Sequence, residues 1–338
     1  MITSLLNEYK NNKEALEVIR LINYTKNSVF LTGRAGTGKS TLLKKITSTL
    51  KRNFIILAPT GIAAINVGGQ TIHSFFRIAP RPYLPNDRDI EYLENKKEIL
   101  KNLDLIVIDE VSMVRADLLN AIDLSLRKNL SSNKPFAGIQ LLMIGDLFQL
   151  PPVIDSKKIV ETEILAQNYL TPYFFSSKSL ENGLKYFVVE LKKVYRQNDE
   201  QFIHLLNGVR ENTISTIDLN NLNLRFNQTY EPSITSNEIT LATTNEIVNS
   251  INTTKLNLLS SKNYEFVATT TGTFLENKNV SKLPTDKVLI LKKDAQIMFI
   301  KNDTGENRRW VNGTLGKIID FNDNSITIQV EKSGMTYE

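Results

Sequence analysis

The segment 33–40, GRAGTGKS, constrains the fold of this chain more than any other feature. It matches the pattern GxxxxGK[ST], follows the apolar run SVFLT at residues 28–32 and opens a helical pattern at residues 39–50. Between a strand and a helix, such glycines let backbone N–H groups converge on phosphate oxygens at the helix N-terminus. The segment therefore predicts a nucleotide-binding loop, the alternative being a glycine-rich turn without a ligand.

The side chains of this loop suit ATP and Mg²⁺. Lys39 is predicted to reach the β- and γ-phosphates, and the Ser40 hydroxyl is predicted to bind Mg²⁺. The other residues expected to contact the nucleotide are Gly33, Ala35, Gly36, Thr37, Gly38 and Thr41.

Later apolar runs repeat the arrangement of a short strand followed by a helix. Each run is apolar at consecutive positions, which is typical of a parallel strand covered on both faces. The runs are residues 54–58 (FIILA), 105–109 (LIVID), 141–145 (LLMIG) and 186–191 (YFVVEL). Helical patterns are found at residues 39–50, 63–67, 116–127 and 160–168. We expect an α/β fold built on an open parallel sheet.

Two other regions depart from this alternation. Residues 77–100 contain three prolines and then a charged helical pattern, and we interpret them as a small insertion. Farther along, a helix is expected at residues 199–210, a strand at 238–242 and a helix at 245–256. After Pro284 the apolar period becomes two, at residues 287–293, 295–303, 314–321 and 325–331, with a hairpin signal at Asn322, Asp323 and Asn324. This tail predicts a small antiparallel sheet or barrel.

Composition narrows the chemistry. The chain has 338 residues, no cysteine and two histidines, His73 and His204, which excludes disulfides, thiol nucleophiles, cysteine zinc sites and iron–sulfur clusters. A functional metal is therefore expected to be hard and bound by oxygen. The net charge of +5 fits a polyanionic partner, although a general richness in lysine explains it equally well. The sequence contains neither a secretory signal nor an apolar run of membrane-spanning length.

Two strand ends carry candidate catalytic residues. Asp109 ends the run LIVID, where a Mg²⁺-binding carboxylate belongs, and Glu110 is placed to activate a water molecule. Gln149 follows the run LLMIG within GDLFQLPPV, where an amide can contact a γ-phosphate. A solvated acidic pair and a plain proline-terminated turn are the respective alternatives.

Residues after the second strand are candidates for binding an extended anion. Thr60 and Gly61 lie in APTGIAA, and His73, Phe75 and Phe76 lie in GGQTIHSFF. Aromatic rings there can stack on bases. The alternatives are a core position for one phenylalanine and a structural role for His73. His204 lies in an amphipathic helix and is interpreted as structural.

Arg196, in YRQ after the last apolar run, is a candidate arginine finger. A surface position is the alternative.

In this order, the motifs resemble those of the Pif (petite integration frequency) family of DNA helicases, in the RecD-like branch of superfamily one. The similar segments are GRAGTGKST, APTGIAA, GGQTIHSFF, VIDEVSM, GDLFQLPPV, LKKVYRQND, LATTNEIVNSIN and AQIMFIKND with RRWVNGTLGKI. The stretch 115–138 resembles the family signature. The resemblance runs from about residue 28 to residue 317.

The resemblance implies an ATP-dependent helicase and single-strand DNA translocase with 5′-to-3′ polarity, working with Mg²⁺. It assigns Lys39, Glu110, Gln149 and Arg196 to catalysis, and Ser40 and Asp109 to the metal. Contacts to DNA fall to Thr60, Gly61, His73, Phe75 and Phe76, with Asn245 as a weaker candidate. Single-stranded, forked or structured DNA would be the partner, and repair and telomere maintenance the cellular context. We expect a monomer, cytoplasmic and associated with the nucleoid if the source is bacterial.

The family resemblance also implies a domain plan. Residues 1–185 would form the first RecA-like domain, with 77–100 as a wedge insertion. Residues 186–285 would be part of a second RecA-like domain, and residues 286–338 the start of a barrel-like insertion. The family's later motifs would follow Glu338, so we expect a truncated chain.

The sequence assigns neither the residue that recognises adenine nor the presence of motor activity. The glutamine that reads adenine in such helicases has no counterpart in KNNKEALEVIRLI, so adenine recognition is unassigned. The chain could also bind ATP and single-stranded DNA without motor activity, or be an ATPase that switches a protein partner and ignores nucleic acid.

Overall fold

A computed structural model describes residues 2–338 except 155–157, 182, 196–198, 231–237, 270–285, 302, 304–308, 311–312, 323–324 and 332. The chain forms two compact units, Met1–Phe226 and Asn227–Glu338.

The first unit is built on a six-stranded sheet in which every pairing is parallel. Its strand order is β3-β2-β4-β5-β1-β6. The strands are β1 (Ser28–Gly33), β2 (Phe54–Ala58), β3 (Gln70–Thr71), β4 (Leu105–Ile108), β5 (Gln140–Ile144) and β6 (Tyr186–Leu191). The predicted α/β fold with a parallel sheet is confirmed, and all five predicted strands are present. The two-residue strand β3 is an addition that the sequence pattern did not indicate.

Apolar clusters cover this sheet on both faces. The helices of the first unit are α1 (Ile2–Glu8), α2 (Lys13–Tyr24), α3 (Lys39–Thr49), α4 (Gly61–Asn66), α5 (Ile72–Phe76), α6 (Lys97–Lys101), α7 (Ala116–Leu130), α8 (Ile159–Asn168), α9 (Lys178–Glu181), α10 (Glu200–Glu211) and α11 (Thr216–Asn223). Alternate residues of one strand enter different apolar clusters: Phe30 joins one cluster, whereas Val29 and Leu31 join the other. Consecutive apolar residues in the sequence therefore reflect burial from two sides.

The insertion at residues 77–100 contains less helix than its charged pattern predicts. Apart from a 3₁₀ turn at Glu94–Lys96 and the start of α6, its residues are irregular. Polar side chains of α7 hold its backbone instead. Asp117 accepts from the Tyr83 N–H at 3.0 Å, and Asn129 accepts from the Leu93 N–H at 2.7 Å. Buried side chains thus replace the hydrogen bonds that a regular helix would make internally.

Strand β6 belongs to the first sheet, although the predicted domain boundary at residue 185 precedes it. The plan places Tyr186–Leu191 in a second domain, but these residues form the edge strand of the first sheet, paired with β1 along all six positions. The first compact unit accordingly continues to Phe226. The three-part division at residues 185 and 285 stays a prediction.

The second unit contains one helix, α12 (Asn245–Leu258), and two antiparallel sheets among its described residues. One sheet pairs β7 (Tyr264–Val267) with β8 (Val288–Leu291). The other has the order β12-β11-β10-β9 and contains β9 (Gln296–Met298), β10 (Leu315–Phe321), β11 (Ile326–Val330) and β12 (Thr336–Tyr337). The period-two segments are thus confirmed as strands.

Other predictions for this unit fare differently. The strand predicted at residues 238–242 is wrong, because these residues are described and form no strand. They are mostly exposed, so the apolar residues Ile239 and Leu241 lack a sheet to pack on. The predicted turn connects β10 to its antiparallel partner β11, but Asp323 and Asn324 lie outside the described residues. Among the described helices, none is long and apolar enough to cross a membrane.

Candidate active site

Three loops that carry the sequence motifs meet at one edge of the first sheet. The loop 33–40 follows β1, Asp109 and Glu110 follow β4, and residues 145–153 follow β5. Strand β5 lies between β1 and β4 with parallel pairing on both sides, so all three loops leave the same edge. This is where ligands bind in open α/β sheets.

The glycines of the first loop are required by its shape. Gly38 has a φ of 86° and precedes α3 as its N-cap residue. At Gly33, which has a φ of 149°, a Cβ atom would lie 2.7 Å from the Leu191 carbonyl oxygen. Thr37 closes the loop, because its hydroxyl donates to the Arg34 carbonyl at 2.8 Å. The loop therefore presents backbone N–H groups at the start of α3, as phosphate binding requires.

Lys39 lies at the centre of this loop. Its ammonium donates to the carbonyls of Gly33 at 2.6 Å and Arg34 at 3.2 Å. Burial lowers the pKa of Lys39, while the charges of Asp146, Glu110 and Asp109 act in the opposite direction. The lysine predicted from the first motif and the carboxylates of the other two loops thus share one electrostatic environment. Ser40 and Thr41 are exposed at the first turn of α3.

Asp109 and Glu110 form a strained acidic pair. Asp109 is 7% exposed, and burial, followed by the charge of Glu110, raises its pKa to about 6. Glu110 has a φ of 51°, a left-handed conformation that is costly for a residue with a side chain. Such strain is common at functional sites.

The donor set fits Mg²⁺. Ser40 and Asp109 offer a hydroxyl and a carboxylate, the hard oxygen ligands that Mg²⁺ prefers when substrate phosphates complete its shell. Within the described residues, no group of three or more His, Asp or Glu side chains is arranged to hold a metal ion.

The loop after β5 is organised by Asp146, a residue the sequence analysis did not select. Its Oδ1 accepts from the Phe148 N–H at 3.1 Å, and its Oδ2 accepts from the Gln149 amide at 3.3 Å. Arg210 of α10 forms a bidentate ion pair with the same carboxylate, at 3.0 and 2.9 Å. Burial would raise the pKa of Asp146, but the Arg210 hydrogen bonds and the Phe148 N–H bring the net pKa below its usual value. Asp146 therefore remains ionised near neutral pH.

A cavity of about 400 Å³ lies beside the first loop. Its lining includes Asn12, Thr37, Gly38, Thr41, Lys45 and Tyr195. The Tyr195 N–H donates to the Gly36 carbonyl at 2.8 Å, and its hydroxyl accepts from the Asn12 amide at 3.2 Å. The Asn12 Oδ1 caps α2 by accepting from the Ala15 N–H at 2.9 Å. These two residues are 183 positions apart, so no local pattern could have paired them.

The predicted DNA-contacting residues divide into exposed and buried groups. Thr60 is exposed and caps α4, accepting from the Ala63 N–H at 3.3 Å, and Gly61 follows it. His73 is partly buried, and burial together with the Arg115 charge lowers its pKa. Asn245 is exposed at the start of α12 in the second unit.

The expectation that Phe75 and Phe76 stack on bases is wrong. They are 3% and 1% exposed and belong to the core of the first unit, with their rings edge to face at 4.9 Å. Lys96 covers Phe75 from outside, 4.4 Å from the ring centre. Neither ring can therefore receive a base in this structure. Arg196 lies outside the described residues.

The chain is similar to known DNA helicases. A family model described as PIF1-like helicase matches residues 7–220. The ATP-dependent DNA helicases RRM3 and PIF1 of Saccharomyces cerevisiae are 33% and 35% identical over 94% and 92% of this chain. Human PIF1 is 34% identical over 87% of it. The chain spans only 43%, 36% and 44% of the length of these three relatives.

Solved structures give the same match. Bacteroides Pif1 bound to ssDNA is 37% identical, with a TM-score of 0.80 over 96% of this chain and 72% of that one. Its complex with ADP-AlF3 and ssDNA gives a TM-score of 0.77 at 36% identity, with the same two shares covered.

Proposed function

Because this chain belongs to the PIF1-like helicase family, we propose that it acts in an ATP-dependent DNA helicase that moves 5′ to 3′ along single-stranded DNA. The observation that carries the proposal is the meeting of three loops at one sheet edge, where the charges of Asp109, Glu110 and Asp146 act on Lys39. A phosphate-binding lysine, a strand-end carboxylate and a neighbouring glutamate are the parts that hydrolysis of a nucleoside triphosphate requires.

In this proposal, the three loops divide the work of hydrolysis. Lys39 leaves its carbonyl partners for the β- and γ-phosphates. Ser40 and Asp109 would hold Mg²⁺, which would supply positive charge beside the phosphates. Glu110 orients the attacking water and takes its proton, while Gln149 contacts the γ-phosphate. Arg196 supplies a second positive charge as an arginine finger.

The cavity beside the first loop is our candidate for the nucleobase pocket. Tyr195 is held by Gly36 and Asn12, so its ring is fixed where a base could stack. Asn12 would then take the role of the missing glutamine, acting on the base indirectly because it holds the ring of Tyr195.

Single-stranded DNA would lie along Thr60, Gly61 and His73. Asn245, in the second unit, is a separate and weaker candidate for contact with DNA. Thr60 is exposed at the N-cap of α4, where its hydroxyl is accessible to a phosphate of the strand. The relatives crystallised with ssDNA support this partner, and another structure concerns forked dsDNA and two coordinating Pif1 helicases. We further propose that the protein is a monomer. If its source is bacterial, we propose that it is cytoplasmic and associated with the nucleoid.

Strand displacement by the complete protein tests the proposal. We expect ATP-dependent unwinding of a duplex with a 5′ single-stranded tail and none with a 3′ tail. Lys39→Ala should abolish unwinding and leave DNA binding within about threefold, because phosphates of the DNA are held elsewhere. Tight oligonucleotide binding without displacement would favour the alternative without motor activity. Absence of salt-sensitive binding would overturn the proposal.

A further inference from the structure

Helix α10 reaches the proposed active site through its last two residues. Arg210 donates from Nε and Nη2 to both carboxylate oxygens of Asp146. The next residue, Glu211, accepts from Arg34 of the first loop at 2.9 Å. One helix end therefore contacts two of the three loops.

The two ion pairs differ in burial. The side chains of Asp146 and Arg210 are 1% and 13% exposed, whereas those of Arg34 and Glu211 are 40% and 35% exposed. A bidentate, buried pair is strong and directional, and its loss leaves a charge without compensation. An exposed pair contributes little because water screens it. The Arg210–Asp146 pair is thus the one able to fix the loop geometry.

Asp146 transmits this constraint to Gln149. Its carboxylate binds the Phe148 N–H and the Gln149 side-chain amide, while its carbonyl accepts from the Gln149 N–H at 3.0 Å. Arg210 also lies over the Phe148 ring, 4.3 Å from its centre. Arg210 therefore contacts two residues of the turn that carries Gln149, Asp146 and Phe148.

Apolar packing does little to hold α10 in place. Of its twelve residues, all described, Leu205 is the buried one. A helix with so small a buried face owes its position to specific polar contacts rather than to the core. The ion pair at its C-terminal end is the most buried of these contacts.

We propose that Arg210 is a positioning residue for ATP hydrolysis, acting through Asp146 to hold the Gln149 amide towards the γ-phosphate. The proposal rests on the proposed function. It gives Arg210 a part in the chemical step and none in the initial binding of nucleotide, because its polar contacts are with Asp146 and Glu211.

Steady-state ATPase of the complete protein tests this role. We expect Arg210→Met to lower kcat by about tenfold to a hundredfold with a KM for ATP within about threefold, as small displacements of a positioned group do. Arg210→Lys should recover part of kcat, because it keeps the charge but not the fork. Glu211→Gln is the matched control on the same helix end and should change neither parameter by more than about twofold.

A double-mutant cycle separates a relay from independent effects. If Arg210 acts through Gln149, adding Arg210→Met to Gln149→Ala should lower kcat by no more than about threefold beyond Gln149→Ala alone. Multiplying losses would overturn the proposal, as would an Arg210→Met variant that raises KM at constant kcat.

Amide hydrogen exchange gives a readout that needs no activity. The Phe148 and Gln149 amides should exchange faster in Arg210→Met than in Glu211→Gln, with amides of β5 unchanged in both. Equal exchange in the two variants would contradict the relay. If the unmodified protein hydrolyses no ATP, the proposed function fails, and the exchange result alone decides whether Arg210 positions the loop.

Discussion

The two units of the chain differ in how they are built and in what they carry. The first has a six-stranded parallel sheet buried on both faces and holds all three phosphate-side loops. In the second, the buried apolar side chains among the described residues are Ala295, Ile318 and Val330. The close-packed first unit suits the proposed chemistry, because positioning catalytic groups requires a scaffold that does not yield. The described residues of the second unit form small sheets and one exposed helix.

The comparison predicts that the chemical step requires residues of the first unit. Glu110→Gln should lower the kcat of ATP hydrolysis by about 10²- to 10⁴-fold, because it removes a general base while keeping its shape. Binding of nucleotide and of single-stranded DNA should be retained. A rate within a few fold of the unmodified protein would show that Glu110 does not act on the water.

Core substitutions should separate the two units by stability. Leu142→Ala in β5 removes a fully buried side chain and should cost about 2–5 kcal/mol of unfolding free energy. Ile290→Ala in β8 truncates a side chain that is 39% exposed and should cost about 1 kcal/mol or less. Urea unfolding measures both. Equal losses of unfolding free energy in the two variants would contradict the difference in burial between the two sheets.

The buried Asp109 predicts a pH-dependent stability. Its raised pKa means that the folded state binds a proton more tightly than the unfolded state, so protonation of Asp109 stabilises the folded state. This stabilisation is fully present below about pH 4. It is lost as the pH rises through about 6. Asp109→Asn should therefore gain about 2 kcal/mol relative to the unmodified protein at pH 7.5 without Mg²⁺, and much less at pH 4. A stability difference that is the same at both pH values would contradict the burial of this carboxylate.

Two threonine caps provide the smallest and best-matched contrast. Thr60 caps α4 in the first unit, and Thr244 caps α12 in the second, accepting from the Ile247 N–H at 3.4 Å. Either Thr→Ala change should cost about 1 kcal/mol of stability. Thr60→Ala is expected to weaken single-stranded DNA binding more than Thr244→Ala does, because Thr60 is itself a proposed contact, and Thr60→Ser should restore binding. Equal DNA affinities of Thr60→Ala and Thr244→Ala would remove Thr60 from the proposed DNA contacts.

Much of the first unit could be predicted because its signals are local. Each buried strand is a run of consecutive apolar residues, and the first loop is a contiguous motif. The insertion was predicted, but the sequence pattern indicates neither its irregular backbone nor the short strand β3. Contacts distant in sequence define both, since β3 pairs with β2 and side chains of α7 hold the insertion. Tyr83, for example, is held by Asp117, 34 positions later.

Prediction of the candidate site was limited in the same way, because contacts between distant residues leave no local pattern. Lys39, Asp109, Glu110 and Gln149 follow strands in the sequence, so parallel topology brings their loops to one edge. Phe75 and Phe76 were misassigned because two consecutive aromatic residues are found both on binding surfaces and in cores, and their sequence does not distinguish the two positions. Arg210 was missed because Asp146 lies 64 positions away and nothing in the helical pattern marks its partner.

The central claim is that the three loops of the first unit form an ATPase driven by single-stranded DNA. Its most direct test is the ATP hydrolysis rate of the complete protein with and without a single-stranded oligonucleotide, over a range of salt concentrations. We predict that DNA stimulates hydrolysis and that the concentration needed for half-stimulation rises steeply with salt, because phosphate contacts carry the binding. The same rate with and without DNA at every salt concentration would contradict the account.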